Sequence, residues 1–89
     1  MVTSILLIAA ERSLINTIAE TMASIDGVSE VYSVSGSYDL VAVLRVENND
    51  QLAYLVTDRL VDIEGIEHTE TMLAFRAYSR HDLESMFSI

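Results

Sequence analysis

The feature that most constrains the fold is an internal repeat. The segment Ile25-Asp26-Gly27-Val28 returns as Ile63-Glu64-Gly65-Ile66, 38 residues further along the chain. The same offset relates three further pairs of apolar residues, namely Leu14 and Leu52, Ile18 and Val56, and Met22 and Leu60. Steps of four, four and three residues form the apolar stripe of an amphipathic helix. Each copy therefore predicts a helix that ends at a glycine cap, where a strand follows.

The strands align under the same shift. We predict strands at residues 3–10, 28–35, 39–46 and 66–76, and helices at residues 12–25 and 50–63. Asn49 or Asp50 is a plausible N-cap of the second helix. Gly36-Ser37 marks a hairpin between the second and third strands, and glycine in the first central position suits a type II′ turn. The predicted order is βαββαβ.

Two strand–helix–strand units joined by a hairpin form an α+β, ferredoxin-like sandwich with a four-stranded antiparallel sheet and two helices on one face. In this topology the first and third strands are central, and they are the most continuously apolar, SILLIAA and DLVAVLRV. We expect one domain over residues 1–89. Its tail, residues 78–89, could form a short helix capped by Ser79, with Leu83, Met86 and Phe87 on one side, packed on a neighbouring subunit or on its own sheet.

Two helices can cover only one face of the sheet, yet the central strands are apolar on both faces. An uncovered apolar face of this size is typical of an interface. We therefore predict a homodimer whose sheets pack face to face, as in dimeric α+β barrels. The predicted interface residues are Ile5, Leu7, Val41, Val43, Leu73 and Phe75.

Composition narrows the range of partners. The chain has 14 acidic and 5 basic residues, a formal charge of -9, and no cysteine. This negative charge repels nucleic-acid phosphates and anionic lipid. No apolar stretch of the sequence reaches the length of a membrane-spanning segment. We expect a cytoplasmic protein that does not bind nucleic acid or membrane directly. The lack of cysteine removes thiolate metal sites and cysteine nucleophiles.

Four sequence pieces resemble one family. The segment Gly36-Ser37-Tyr38-Asp39-Leu40-Val41, between two strands, is similar to the G-x-Y-D-L-V element of the effector-binding domain of Lrp/AsnC regulators, also called the RAM (regulation of amino-acid metabolism) domain. The first repeat turn resembles the family's "pGV" element, with Asp26 in place of proline. The second turn, followed by Thr69-Glu70-Thr71, resembles its "GV-x-x-t-x-T" pattern. The resemblance covers essentially the whole chain.

This resemblance implies a ligand-binding module that senses a small effector, an amino acid or a similar molecule, between dimers near the hairpin that joins the second and third strands. Family members usually carry an N-terminal helix-turn-helix. Because the chain starts at the first strand of the module, we expect a stand-alone, non-enzymatic module without a cofactor. It would assemble beyond the dimer into tetramers, octamers or rings, or pair with a full-length relative and so modulate transcription.

The expected effector-binding residues are Gly36, Ser37, Tyr38, Asp39, Thr69 and Thr71. Gly36 would let backbone amides approach a ligand carboxylate, Asp39 could accept from an ammonium group, and Tyr38 offers a ring with a hydroxyl group. The alternative is purely structural: Gly36 would only form a turn, Asp39 would satisfy hairpin amides, and Tyr38 would pack at the interface.

The sequence gives weaker support for a functional role of the other polar residues. His68 and Glu70 could converge on one face of the fourth strand, but two ligands do not make a metal site, and His81 lies far along the chain. We therefore interpret His68 as an exposed strand histidine. Arg45 and Arg76, on predicted strands, could balance acidic neighbours at an interface or bind a carboxylate.

Two other functions fit the fold. A cofactor-free monooxygenase-like enzyme of the dimeric α+β-barrel kind shares the topology, but it needs a histidine, asparagine or tryptophan in an enclosed pocket, and this chain has no tryptophan. A purely structural assembly subunit is the other alternative.

Overall fold

The predicted order of elements is confirmed. The computed structural model describes residues 1–78 and residue 80. It contains strands β1 (Val2–Ala10), β2 (Val28–Ser33), β3 (Leu40–Val46) and β4 (Ile66–Leu73). Helix α1 (Ile15–Ala23) follows a 3₁₀ turn (Arg12–Leu14), and helix α2 (Asn49–Tyr54) continues as a π-helical segment (Leu55–Leu60). The predicted tail helix lies outside the described residues, as do its residues Ser79, Leu83, Met86 and Phe87 and the nearby His81.

The sheet has the order β2-β3-β1-β4, and every neighbouring pair is antiparallel. β1 and β3 are central, as their apolar sequences predict. Their alternate residues pack against the helices to form the core, together with helix residues from both repeats: Leu6, Ile8, Leu40, Ala42, Leu44, Ile18, Met22, Leu55 and Leu60. The fold is thus the predicted ferredoxin-like α+β sandwich.

The repeat is visible in the backbone hydrogen bonds. The carbonyl of Gly27, in the first turn, accepts from the amide of Arg45 at 2.8 Å, and the carbonyl of Gly65, in the second turn, accepts from the amide of Glu11 at 2.8 Å. Each turn is therefore bonded to the end of the first strand of the other repeat. Both glycines have a positive φ, which a residue with a Cβ rarely adopts.

Several predicted boundaries were wrong. β2 ends at Ser33 and β4 at Leu73, earlier than predicted. The N-cap of α2 is Asn48, rather than Asn49 or Asp50: its side chain accepts from the amide of Gln51 at 2.9 Å. Gln51 in turn accepts from the amide of Glu47 at 3.0 Å. This reciprocal pair satisfies two amides at the helix start, and it places the cap one residue before the predicted positions.

The β2–β3 hairpin is longer than the predicted two-residue turn. The amide of Val34 donates to the carbonyl of Asp39 at 3.0 Å, and four residues lie between them. Gly36, at φ +117°, is the residue with a left-handed backbone in this loop. Below, "the hairpin loop" means residues 35–38, and Asp39 is the residue that closes it.

A β-bulge determines which way β4 faces. Ala9 pairs with His68, but Ala10 pairs with Ile66, so Glu67 is an extra residue in the strand. Ile66 therefore packs towards the helices, while His68, Glu70 and Met72 project from the opposite face. Without the extra residue, side chains would alternate between the two faces directly from Ile66, and His68, Glu70 and Met72 would face the helices instead.

Candidate functional site

The sheet leaves one face without helices, which we call the open face. The open face carries Ile5 and Leu7 of β1 and Val41 and Val43 of β3, all partly buried by their neighbours. Met72 lies beside Ile5 and is 43% exposed. These five apolar side chains are contiguous across three strands, so they form the centre of the open face.

The structure separates two of the predicted interface residues from this centre. Leu73 pairs with Ser4, whose side chain is fully buried on the helix side, so Leu73 projects from the helix side of the sheet. Phe75 lies beyond the end of β4 and is 94% exposed. The bulge at Glu67 explains the difference for Leu73, because it places Met72 on the open face instead.

The hairpin loop reaches β4 across the open face. The hydroxyl of Tyr38 donates to Oε2 of Glu70 at 3.0 Å, and the Tyr38 ring stacks on His68 with centroids 6.2 Å apart. The hydrogen bond to Glu70 is the main cause that raises the pKa of Tyr38, because it favours the protonated phenol. The loop is thereby tied to a strand that is distant in sequence.

Asp39 has a structural role at the end of β1. Its Oδ2 accepts from the amide of Ala10 at 2.9 Å, and its own amide donates to the carbonyl of Ile8 at 2.9 Å. The side chain thus satisfies a backbone amide at the end of β1, whereas the structural alternative expected it to satisfy amides of the hairpin. Its Oδ1 makes no hydrogen bond with the described residues.

Gly36 and Ser37 lie at the exposed tip of the loop. A Cβ built on Gly36 would meet no atom within 4 Å, so space is open beside it, and only the backbone conformation requires glycine. The loop tip therefore presents backbone amides to solvent beside Tyr38.

Thr69 and Thr71 do not join this group. They pair with Ile8 and Leu6, both of which are buried under the helices, so the two threonines project from the helix side of the sheet. Thr69 lines a groove of about 330 Å³ between β4 and the π-helical segment. The sheet thus lies between the threonines and Tyr38.

His68 and Glu70, rather than the threonines, complete the cluster around Tyr38. Sequence reasoning placed the two on a common face but assigned them no role. The signal was their spacing of two residues on a strand, which places both side chains on one face. Only the path of the hairpin loop, which brings Tyr38 over them, distinguishes this pair from other exposed strand residues.

A second polar cluster lies at the other end of the open face. Nη1 of Arg45 contacts Oγ of Ser29 at 2.6 Å and Oε1 of Glu30 at 3.4 Å, and the hydroxyl of Tyr32 donates to Oε2 of Glu30 at 2.5 Å. The hydrogen bond from Tyr32 is the main cause that lowers the pKa of Glu30, with Arg45 second. Tyrosine–carboxylate contacts therefore flank the apolar centre at both ends.

Two negative results apply to the described residues only. Among them, no three histidine, aspartate or glutamate side chains are grouped so as to hold a metal ion. No helix in this part of the chain is long and apolar enough to cross a membrane.

The fold defines the class: a small ferredoxin-like α+β domain with a four-stranded antiparallel sheet. The sequence profile of the Lrp/AsnC ligand binding domain matches residues 3–83. The chain belongs to the Lrp/AsnC family. Family membership and the relatives below support a regulatory sensing role.

Two crystal structures and one curated relative illustrate the similarity. TTHA0845 from Thermus thermophilus is 44% identical with a TM-score of 0.84, covering 90% of this chain and 100% of that one. PHS023 from Pyrococcus horikoshii is 26% identical with a TM-score of 0.81, covering 91% and 98%. The uncharacterized HTH-type transcriptional regulator PH1916 of Pyrococcus horikoshii is 40% identical over 58 residues. Those residues span 65% of this chain and 39% of that regulator's length.

Proposed function

We propose that this chain senses an amino acid or a similar small molecule at the hairpin loop and converts its binding into a change of assembly. The observation that carries the proposal is the contact of Tyr38 with Glu70, because it ties the loop to the open face. A ligand that orders the loop would therefore act on the surface through which subunits associate.

The chemistry of the loop fits an α-amino acid. Backbone amides beside Gly36 and the hydroxyl of Ser37 can donate to a carboxylate. Oδ1 of Asp39 and the carboxylate of Glu70 can accept from an ammonium group. We propose Gly36, Ser37, Tyr38 and Asp39 together with Glu70 as the site, and omit Thr69 and Thr71, which face the helices.

A distant structural relative gives the amino-acid hypothesis a precedent. The crystal structure of the transcriptional regulator NMB0573 from Neisseria meningitidis was solved as a complex with L-Met. It has a TM-score of 0.79 to this chain at 10% identity, so the likeness is one of fold. We propose that this chain binds an effector of the same chemical class.

The open face supports a homodimer as the minimal assembly. Its apolar centre, formed by Ile5, Leu7, Val41, Val43 and Met72, would be covered by the same face of a second copy. Effector binding at the rim of this interface could then favour tetramers, octamers or rings. Since the curated relatives are longer HTH-type regulators, we also propose such a regulator as a partner, through which the domain affects transcription.

The enzyme hypothesis draws less support from the geometry. The monooxygenase-like alternative needs its histidine in an enclosed pocket between the sheet and the helices. His68 is among the residues beside the groove between β4 and the π-helical segment, but its ring stacks on Tyr38 on the open face. We therefore propose a non-enzymatic sensor.

A thermal-shift screen of the twenty amino acids tests the sensing role. A ligand at 100 times its dissociation constant stabilises the native state by about 2.7 kcal/mol, and we expect at least one amino acid to do so. The stabilising compound should also change the oligomer distribution in light scattering. Stabilisation without any change of assembly would contradict the coupling, and a flat screen would contradict the amino-acid effector.

The matched variants are Tyr38→Phe and Tyr32→Phe. Both remove a hydroxyl that donates to a glutamate on the open face, but only the first adjoins the hairpin loop. We expect Tyr38→Phe to weaken the response and Tyr32→Phe to leave it unchanged. If the ligand stabilises both variants equally, the hairpin loop is not part of the binding site.

A further inference from the structure

Arg45 and Glu70 occupy opposite corners of the open face. Arg45 pairs with Thr3, on one side of β1, and Glu70 pairs with Leu7, on the other side. Ile5 lies midway between them in the register. With about 4.8 Å between strands and about 3.4 Å per residue, the two Cα atoms are roughly 17 Å apart, and Ile5 is at the midpoint. No contact between Arg45 and Glu70 of one chain is therefore possible.

We infer that two copies pack by their open faces with the strands crossing at about 70°, so that Arg45 of each subunit pairs with Glu70 of the other. The inference rests on the dimer of the proposed function and specifies its geometry. The two copies are related by a two-fold axis that lies between the two sheets and passes over Ile5. This axis runs perpendicular to the line from Arg45 to Glu70. Rotation about it therefore places Arg45 of one copy opposite Glu70 of the other. The axis produces two equivalent ion pairs.

Other two-fold arrangements around the same centre do not bring Arg45 of one copy opposite Glu70 of the other. With the axis along the strands, Arg45 lies over the end of the partner's β4, beside Met72. With the axis across the strands, Arg45 lies over Val41. In both arrangements Arg45 keeps its contact with Glu30 of its own subunit at 3.4 Å, but Glu70 of the partner subunit does not lie opposite it. An axis along the line from Arg45 to Glu70 places each residue over its own copy, where like charges repel.

Both groups have free bonding capacity for such a contact. The guanidinium of Arg45 has five N–H donors, and its hydrogen bonds to the described residues, to Ser29 and Glu30, both use Nη1. Glu70 accepts from Tyr38 through Oε2, so Oε1 can accept from a partner. The Arg45 side chain is 44% exposed, so a second copy can reach it.

The pairing would make the loop and the interface share one carboxylate. Glu70 would accept from Tyr38 in its own subunit and from the partner subunit's Arg45. A ligand that draws Tyr38 or Glu70 into the hairpin-loop site would then weaken or redirect the inter-subunit ion pair. This supplies a route from effector to assembly that the proposed function requires.

Charge reversal gives a test in which two defective variants repair each other. Arg45→Glu makes both contacts of a homodimer negative, and Glu70→Arg makes both positive. In a one-to-one mixture of the two variants, each heterodimer contact again joins opposite charges. We expect each variant alone to raise the dimer dissociation constant at least about tenfold, and the mixture to return it to within about threefold of the unmodified chain.

Native mass spectrometry distinguishes the heterodimer by mass, and sedimentation gives the dissociation constants. Arg59→Glu, on the helix side, and Glu20→Arg, exposed on α1, are the matched controls and should dimerise normally. Should either reversal unfold the chain, Arg45→Gln and Glu70→Gln replace it. Together they should weaken the dimer no more than one alone, and additive losses overturn the pairing.

The outcomes separate the inference from the proposed function. A monomeric unmodified chain overturns the dimer and, with it, this pairing. A dimer that the reversals leave intact, or that the mixture does not restore, overturns the pairing only. In that case the amino-acid screen still decides the sensing role.

Discussion

The Tyr38 hydroxyl donates to Glu70 at 3.0 Å, joining the hairpin loop to an edge strand that lies 32 residues further along the chain. Tyr38 lies at the junction of the two repeats, which has no counterpart elsewhere in the chain, and Glu70 lies on β4, the last strand of the second repeat. The repeat supplies the scaffold. The contact between Tyr38 and Glu70 places a loop over one end of the open face, which the repeat alone does not provide. Five predictions concern this contact and the elements around it.

The first prediction concerns order in the hairpin loop. Tyr38→Phe removes the hydrogen bond to Glu70 but keeps the ring that stacks on His68. We expect faster amide exchange at Val34 and Asp39, whose amides are hydrogen-bonded at the base of the loop, and little change in the core strands, because the loop loses its bond to β4. Hydrogen exchange read by NMR measures this. Equal protection in the variant would show that the hydroxyl does not hold the loop.

The second prediction concerns the titration of Tyr38. Glu70 raises the pKa of Tyr38, so Glu70→Gln should bring it down towards the ordinary value for tyrosine. A raised native pKa means that this contact stabilises the fold below the pKa of the unfolded chain. The contribution is lost as the pH rises through the native pKa. NMR titration of the Tyr38 Cζ resonance in the unmodified chain and in Glu70→Gln measures the change.

The third prediction concerns Glu30 at the opposite end of the open face. Its pKa is lowered chiefly by the hydrogen bond from Tyr32, so Tyr32→Phe should raise it. A lowered native pKa stabilises the fold above the pKa of the unfolded chain, and this stabilisation is lost as the pH falls through the native pKa. Carboxyl-carbon NMR titration measures the change. If the titration midpoint of Glu30 is unchanged in Tyr32→Phe, the hydrogen bond from Tyr32 does not cause the lowered pKa of Glu30.

The fourth prediction compares two glycines with positive φ. A Cβ at Gly65 would lie 2.8 Å from Cδ1 of Leu14, whereas a Cβ at Gly36 would meet nothing within 4 Å. Gly36→Ala should cost about 1 kcal/mol for its backbone conformation alone. Gly65→Ala should cost more, because Leu14 must also move. Urea unfolding measures both, and equal losses would show that Leu14 adapts freely.

The Asp39→Ala substitution is a poor test of ligand binding, although the sequence suggests it. Asp39 accepts from the amide of Ala10, which is buried, so removing the carboxylate leaves that amide unpaired. We expect a loss of stability of about 1–2 kcal/mol, and a smaller loss for Asp39→Asn, which keeps an oxygen acceptor. Comparing the two by urea unfolding separates this structural role from any ligand contact.

Much of the fold was predictable because its signals are local. The offset of 38 residues pairs Ile18 with Val56 and Met22 with Leu60, and it predicts two strand–helix–strand units. The apolar runs of β1 and β3 predicted central strands, since a strand covered on both faces needs apolar residues at every position. The residues Gly36 to Asp39 also marked the junction at which the structure brings loop and sheet together.

The rest depended on contacts that no local pattern encodes. An extra residue at Glu67 shifts the register of β4 by one, so Thr69, Thr71 and Leu73 face the helices, while Glu70 and Met72 face outward. The capping bond from Gln51 to Asn48 likewise fixed a helix start that propensity left open. Hydrophobic spacing determined the elements and their order, because it repeats within a few residues. The tertiary structure decided which side chains share a face, because strand register and loop path arise only when distant segments pair.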